Sequence, residues 1–153
     1  MKILVATDGT KQGEQAIAAL SNFRLGDSDE VKLVSVVDMA VPMAIDVYGG
    51  YLPDTTELEK AARENAEKVL NAARDSANQI LKGVNTHVSG ELLFGSPESR
   101  IVEAAEHMSA DLIIVGSHGY NRWERLLLGS VSDSVVHHAP CSVHIVRERK
   151  RAE

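Results

Sequence analysis

Residues 116–132, GSHGYNRWERLLLGSVS, bring together residue types that can hold an anion. Gly116, Gly119 and Gly129 punctuate the stretch, hydroxyls follow at Ser130 and Ser132, and Arg122 and Arg125 lie between. A phosphate needs several N–H donors that converge with no side chain in the way. Glycine permits that approach, and the start of a helix adds unpaired N–H groups and a partial positive charge. Gly129-Ser130-Val131-Ser132 offers this geometry if a helix begins there, with the two serine hydroxyls as further donors. A charge at such a helix end gains only ~0.3–1 kcal/mol, or up to ~2 kcal/mol when partly buried. Affinity must then come from many donors and from a base or ribose held elsewhere. A plainer reading stands beside this one: Gly116 and Gly119 shape a turn and Ser130 caps a helix.

The second candidate is Ala6-Thr7-Asp8-Gly9, where an apolar run stops. Asp8 can share a metal ion with phosphates, or it can cap the first helix or close an Asx turn. Hydrolysis of a nucleotide would need a positioned water, charge neutralisation and usually a metal. No general base accompanies Asp8, so slow hydrolysis at most is expected. Ser117-His118 is not read as a nucleophile and its base, because adjacent residues seldom present their side chains to each other. His137 and His138 would point about 100° apart on a helix, which suits surface or interface positions better than a metal site. Cys141 is expected to pack as a small hydrophobe at the start of a buried strand. Neither the phosphate-binding G-x-x-x-x-G-K-[ST] pattern nor a G-x-G-x-x-G after the first strand is present.

These residues are carried by a regular alternation. KILVAT (2–7) reads as a strand buried on both faces, Gln12–Phe23 as a helix with Ala16, Ile17, Ala19, Leu20 and Phe23 inward, and EVKLVSVV (30–37) as a second strand. Residues 38–56 lack periodicity, and such a long, rather apolar loop suits a lid or an interface. Glu57–Leu81 is the clearest helix, with Leu58, Ala62, Ala66, Val69, Ala73, Ala77 and Ile80 as its stripe, Thr55 or Thr56 as cap and Gly83 as stop. Val84–Phe94 is a third strand. Ser96-Pro97 opens a helix over 98–108. DLIIV (111–115) is a fourth strand, Val131–His138 a short helix, and CSVHIV (141–146) a fifth strand. Strand-helix alternation with apolar strands means a parallel sheet with helices on both faces. Ligands of such sheets sit beyond the carboxyl ends of the strands, where strand order reverses. If strands one and four are neighbours, the two candidate loops flank one crevice.

The totals narrow the function classes. A chain of 153 residues fits one domain, expected over 1–147, with 148–153 a charged tail. A net charge of −6 argues against a nucleic-acid surface but not against one small anion. One cysteine excludes an internal disulfide. No apolar run approaches ~20 residues, so no membrane span and no secretory signal are expected, and the cytoplasm is the default location.

The spacing Gly116, two residues, Gly119, nine residues, Gly129 and then Ser130 resembles the nucleotide-binding branch of the universal stress protein family. The flanks DLIIVGSHG and LLLGSVSDSVVHHAPCSVHIV and the start KILVATDGT carry the same resemblance, which covers nearly the whole chain outside 38–56. It implies an open five-stranded sheet in the order 3-2-1-4-5, Rossmann-like and akin to the adenine nucleotide α-hydrolases. It implies ATP with Mg²⁺ in the crevice by strands one and four. Ala6, Thr7 and Asp8 would line the nucleotide, with Asp8 near the ribose or a phosphate-bound metal, and the backbone of Val36 would lie at the adenine edge. Gly116, His118 and Gly119 would line the ribose and phosphate side, and Gly129, Ser130, Val131 and Ser132 would hold the phosphates. Arg122, Trp123 and Arg125 fall in a spacer that varies in the family; the arginines are read as solvated surface, with phosphate neighbours as the alternative, and Trp123 as packing at the loop or dimer surface rather than stacking on adenine. A homodimer through Cys141–Val146 is also implied. The expected function is an ATP-binding stress-response module, at most a slow ATPase. The alternatives are a nucleotide-dependent enzyme needing a second pocket near 38–56, or a dimeric scaffold that has lost its nucleotide.

Overall fold

The computed structural model describes residues 1–38, 56–117 and 128–147. The lid expected at 38–56, His118, Gly119, Arg122, Trp123, Arg125 and the tail fall wholly or almost wholly outside them. The elements run β1 (Lys2–Ala6), α1 (Lys11–Ala18) with a 3-10 turn over Ala19–Asn22, β2 (Glu30–Val37), α2 (Thr56–Ile80), β3 (His87–Phe94), α3 (Pro97–Met108), β4 (Leu112–Gly116), α4 (Ser130–His138) and β5 (Ser142–Val146). The strands form one parallel sheet in the order β3-β2-β1-β4-β5.

Pleating sends alternate side chains to opposite faces, and both faces are covered. Ile3, Val5, Leu112 and Ile114 pack under α1 and α2, whereas Leu4, Ile113 and Val115 pack under α3 and α4. This is why KILVA and LIIVG are continuous apolar runs rather than alternating ones. The connections through α1 and α2 build one side of β1, and those through α3 and α4 build the other. The order therefore reverses between β1 and β4, which pair from Ile3↔Leu112 to Val5↔Ile114.

Three expectations are corrected. The buried stripe of α2 is Ala66, Leu70, Ala73 and Ala77. Leu58 is 70% exposed and Ala62 is also exposed, because burial on α2 begins only at Ala66. Strand β3 starts at His87, three residues later than expected, because Val84 N–H closes a turn on Leu81 O behind Gly83. Strand β5 is half-buried rather than buried, since it is an edge with one neighbour. Cys141 precedes it, half-buried against the α3–α4 side of the core. Burial, and secondarily the Asp111 carboxylate, push its thiol pKa up.

Candidate functional site

A cleft of about 600 Å³ opens where the strand order reverses. Its floor is the ends of three strands: Ala6 of β1, Val34 and Val36 of β2, and Val115 and Gly116 of β4. Thr7 and Asp8 follow β1, Pro97 and Ile101 of α3 form an apolar wall, and Gly129, Ser130, Val131 and Ser132 close the side. Of the site residues expected from sequence, Ala6, Thr7, Asp8, Val36, Gly116, Gly129, Ser130, Val131 and Ser132 are thus brought to one cavity. His118 and Gly119 lie outside the described residues.

Each group reaches the cleft for a local reason. Strand β1 ends at Ala6, and Thr7 N–H still bonds Val34 O at 3.0 Å. Beyond that point β2 has no strand beside it on the β1 side. The N–H and C=O of Val36, two residues on, face the same way as those of Val34 and so face the cleft. Helix α4 begins with Gly129 as N-cap, with no side-chain cap. The N–H groups of Ser130, Val131 and Ser132 belong to its first turn, where no intrahelical acceptor exists. Gly129 N–H is spent on Ser117 O at 2.8 Å, and Asp133 N–H on Gly129 O at 2.9 Å. Among the described residues, the amides of 130–132 therefore have no backbone acceptor, and they carry the positive end of the helix dipole.

Asp8 does what the plainer reading of it allows. Its Oδ1 accepts from Thr10 N–H at 3.0 Å and from Thr10 Oγ1 at 2.6 Å. Thr10 in turn is the N-cap of α1, its Oγ1 accepting from Gly13 N–H at 3.3 Å. The carboxylate thus stiffens the turn into α1 while lining the cleft. Ser132 is 3% exposed, and its Oγ lies 3.1 Å from Ser117 O and 3.0 Å from Gly129 O.

Gly13, Val34, Asp38, Pro97, Ile101 and Val115 also line the cleft and escaped the sequence reading. Only Gly13 carried a signal, a glycine in the first turn of a helix, where it costs up to ~1 kcal/mol relative to alanine. A Cβ there would sit 2.6 Å from Thr7 Oγ1 and 2.8 Å from Asp8 Oδ1. Gly116 is similarly constrained, since its Cβ would lie 2.9 Å from the Gln12 carbonyl oxygen. This first glycine of the motif is needed for β4 to approach α1, whatever the cleft holds.

His137 and His138 turn their Nδ1 atoms back onto the helix. Each Nδ1 lies 2.8 Å from the carbonyl four residues back, Asp133 O and Ser134 O respectively. Among the described residues no three His, Cys, Asp or Glu side chains cluster as metal ligands, and no helix is long and apolar enough to cross a membrane.

Comparison with known proteins bears on the chain as a whole. The sequence model of the Universal stress protein family matches residues 1–147. A protein of Staphylococcus aureus strain USA300, named as a universal stress protein, is 36% identical over 147 residues, which is 95% of this chain and 82% of the relative. The universal stress protein UspA from Lactobacillus plantarum superposes with a TM-score of 0.74 at 23% identity, covering 96% of this chain and 97% of that one. A family protein from Arabidopsis thaliana, solved with AMP bound, superposes with a TM-score of 0.66 at 18% identity, covering 97% and 92%.

Proposed function

Because this chain belongs to the universal stress protein family, we propose that its cleft binds an adenine nucleotide, ATP with Mg²⁺, and that the protein acts as a nucleotide-sensing stress-response module in the cytoplasm. The observation that carries this reading is the convergence on one cavity of two kinds of backbone donor. The amides of residues 130–132 suit phosphates, and the outward-facing backbone edge of Val36 suits a base that both donates and accepts. Val34, Ile101 and Val115 supply an apolar slot between them. The fold match to a protein crystallised with AMP makes an adenine nucleotide the ligand to test first.

Charge supports the metal. The ionisable residues among the described lining are Asp8 and Asp38, both carboxylates. A triphosphate placed beside them needs a cation to offset the repulsion, and Asp8 together with the phosphates would hold Mg²⁺. The ion would supply charge neutralisation. Asp8 Oδ1 is engaged by Thr10, which leaves Oδ2 for the ion, and among the described residues no second group is evident as general base for a water. Slow hydrolysis, or none, follows.

The test is release of bound nucleotide on denaturation, followed by titration of Mg-ATP against melting temperature. At ~100-fold excess over Kd the gain is roughly 2.7 kcal/mol, on the order of 5–10 °C for this size. Gly129→Arg should abolish it. Gly129 has φ −64, which any residue adopts, so the arginine fills the cleft without straining the backbone. No bound nucleotide and no shift in the wild type would favour a scaffold without a ligand.

A further inference from the structure

We infer that the Ser132 side chain is a positioning group of the phosphate side rather than a phosphate ligand: its hydroxyl clasps the two ends of the 117–129 loop together, while its backbone N–H stays with those of Ser130 and Val131. The inference rests on the nucleotide reading above for its effect on affinity, but the clasp itself is present in the free protein. Ser117 O accepts two hydrogen bonds, from Gly129 N–H at 2.8 Å and from Ser132 Oγ at 3.1 Å. The same Ser132 Oγ also lies 3.0 Å from Gly129 O. Both acceptors are carbonyls, which donate nothing, so the single hydroxyl proton of Ser132 is already taken. Ser132 is 3% exposed and Ser117 is 4% exposed, which keeps water from competing for these bonds.

Ser117 is also tied on its other side, its N–H bonding Val146 O at 2.9 Å. One residue therefore joins the end of β4, the end of β5 and the start of α4. The first-turn amides of residues 130–132 can point into the cleft only while α4 is held at this junction. Ser130 differs: it lines the cleft and is exposed, and among the described residues its hydroxyl has no acceptor, so it can donate to a phosphate. The two serines, two residues apart and alike in type, divide the work between contact and placement.

The experiment compares Ser132→Ala and Ser130→Ala with the wild type, reading amide hydrogen exchange at Gly129 in the nucleotide-free protein and affinities for Mg-ATP and for adenosine. Losing one buried hydrogen bond at the clasp should speed Gly129 exchange roughly three- to ten-fold in Ser132→Ala and leave it unchanged in Ser130→Ala. Mg-ATP affinity should fall by a similar factor, ~3–10-fold, in Ser132→Ala, with adenosine affinity unchanged because adenosine has no phosphate to misplace. Unchanged Gly129 exchange with weakened ATP would make Ser132 a direct ligand and overturn the clasp. Equal weakening of adenosine would overturn it in favour of general loosening. If Ser132→Ala does not fold, Ser132→Cys, close in size with a weaker donor, should move the same readouts in the same direction. A wild type with no nucleotide affinity would overturn the nucleotide reading, and the Gly129 exchange rate would then decide the clasp alone.

Discussion

Gly13 shows how a missing side chain sets the site. Alanine should gain up to ~1 kcal/mol of helix propensity at this position. Its Cβ would meet Thr7 Oγ1 and Asp8 Oδ1 at 2.6 and 2.8 Å, and overpacking of that kind costs typically ~1–3 kcal/mol. Gly13→Ala should therefore lower stability by roughly 1–2 kcal/mol in urea titration, and weaken nucleotide binding by displacing two lining residues. Gly26→Ala is the control, with nothing within 4 Å of the new methyl, and should be neutral or slightly stabilising. At this scale much of the candidate site was legible: spacing and residue type marked Gly116, Gly129, Ser130 and the end of β1. Pro97, Ile101 and Val34 were not, because an apolar residue on a strand or helix looks the same whether it faces the core or a cleft. The division between Ser130 and Ser132 was equally hidden. It depends on which hydroxyl meets the Ser117 carbonyl, a contact fifteen residues apart in sequence.

Among the elements, α2 behaves as two helices joined end to end. Residues 56–65 are exposed throughout, while Ala66, Leu70, Ala73 and Ala77 press on the sheet. The helical spacing of apolar residues over this 25-residue element was plain in the sequence, but periodicity cannot say where a partner surface stops. That is why Leu58 and Ala62 were assigned to a core that does not reach them. Arg63, in the exposed half, lies 5.3 Å from the Phe94 ring centre, a cation–π contact that ties this segment to the end of β3. Truncations should divide the elements cleanly. Ile114→Ala, at a side chain with no exposure in β4, should cost ~2–5 kcal/mol. Leu58→Ala should stay within ~0.5 kcal/mol of wild type. Chemical denaturation of the two variants side by side checks this, and equal losses would place the start of α2 in the core after all.

For the molecule as a whole, strand order was the part that alternation alone left open. A β-α-β pattern requires parallel strands but allows several orders, and 3-2-1-4-5 came from family likeness until the register of β1 with β4 displayed it. The open edges are β3 and β5. Val146 O points to β4, so by alternation the N–H of Val143 points outward, free to pair with a second copy. We propose a homodimer through this edge. Val143→Pro removes that outward donor while sparing the ladder to β4. Sedimentation should show a dimer for the wild type and a folded monomer for the variant.

The placement of β1 has a further consequence during synthesis. Its neighbour β2 emerges soon after it, but Leu112, the partner of Ile3, follows more than a hundred residues later. At ~5–20 residues per second a ribosome needs roughly 5–20 s to make that stretch. Through that interval the nascent chain carries an apolar strand, with Ile3, Leu4 and Val5 destined for full burial, that has one side unpaired, so the time spent waiting for β4 is when it most needs a chaperone.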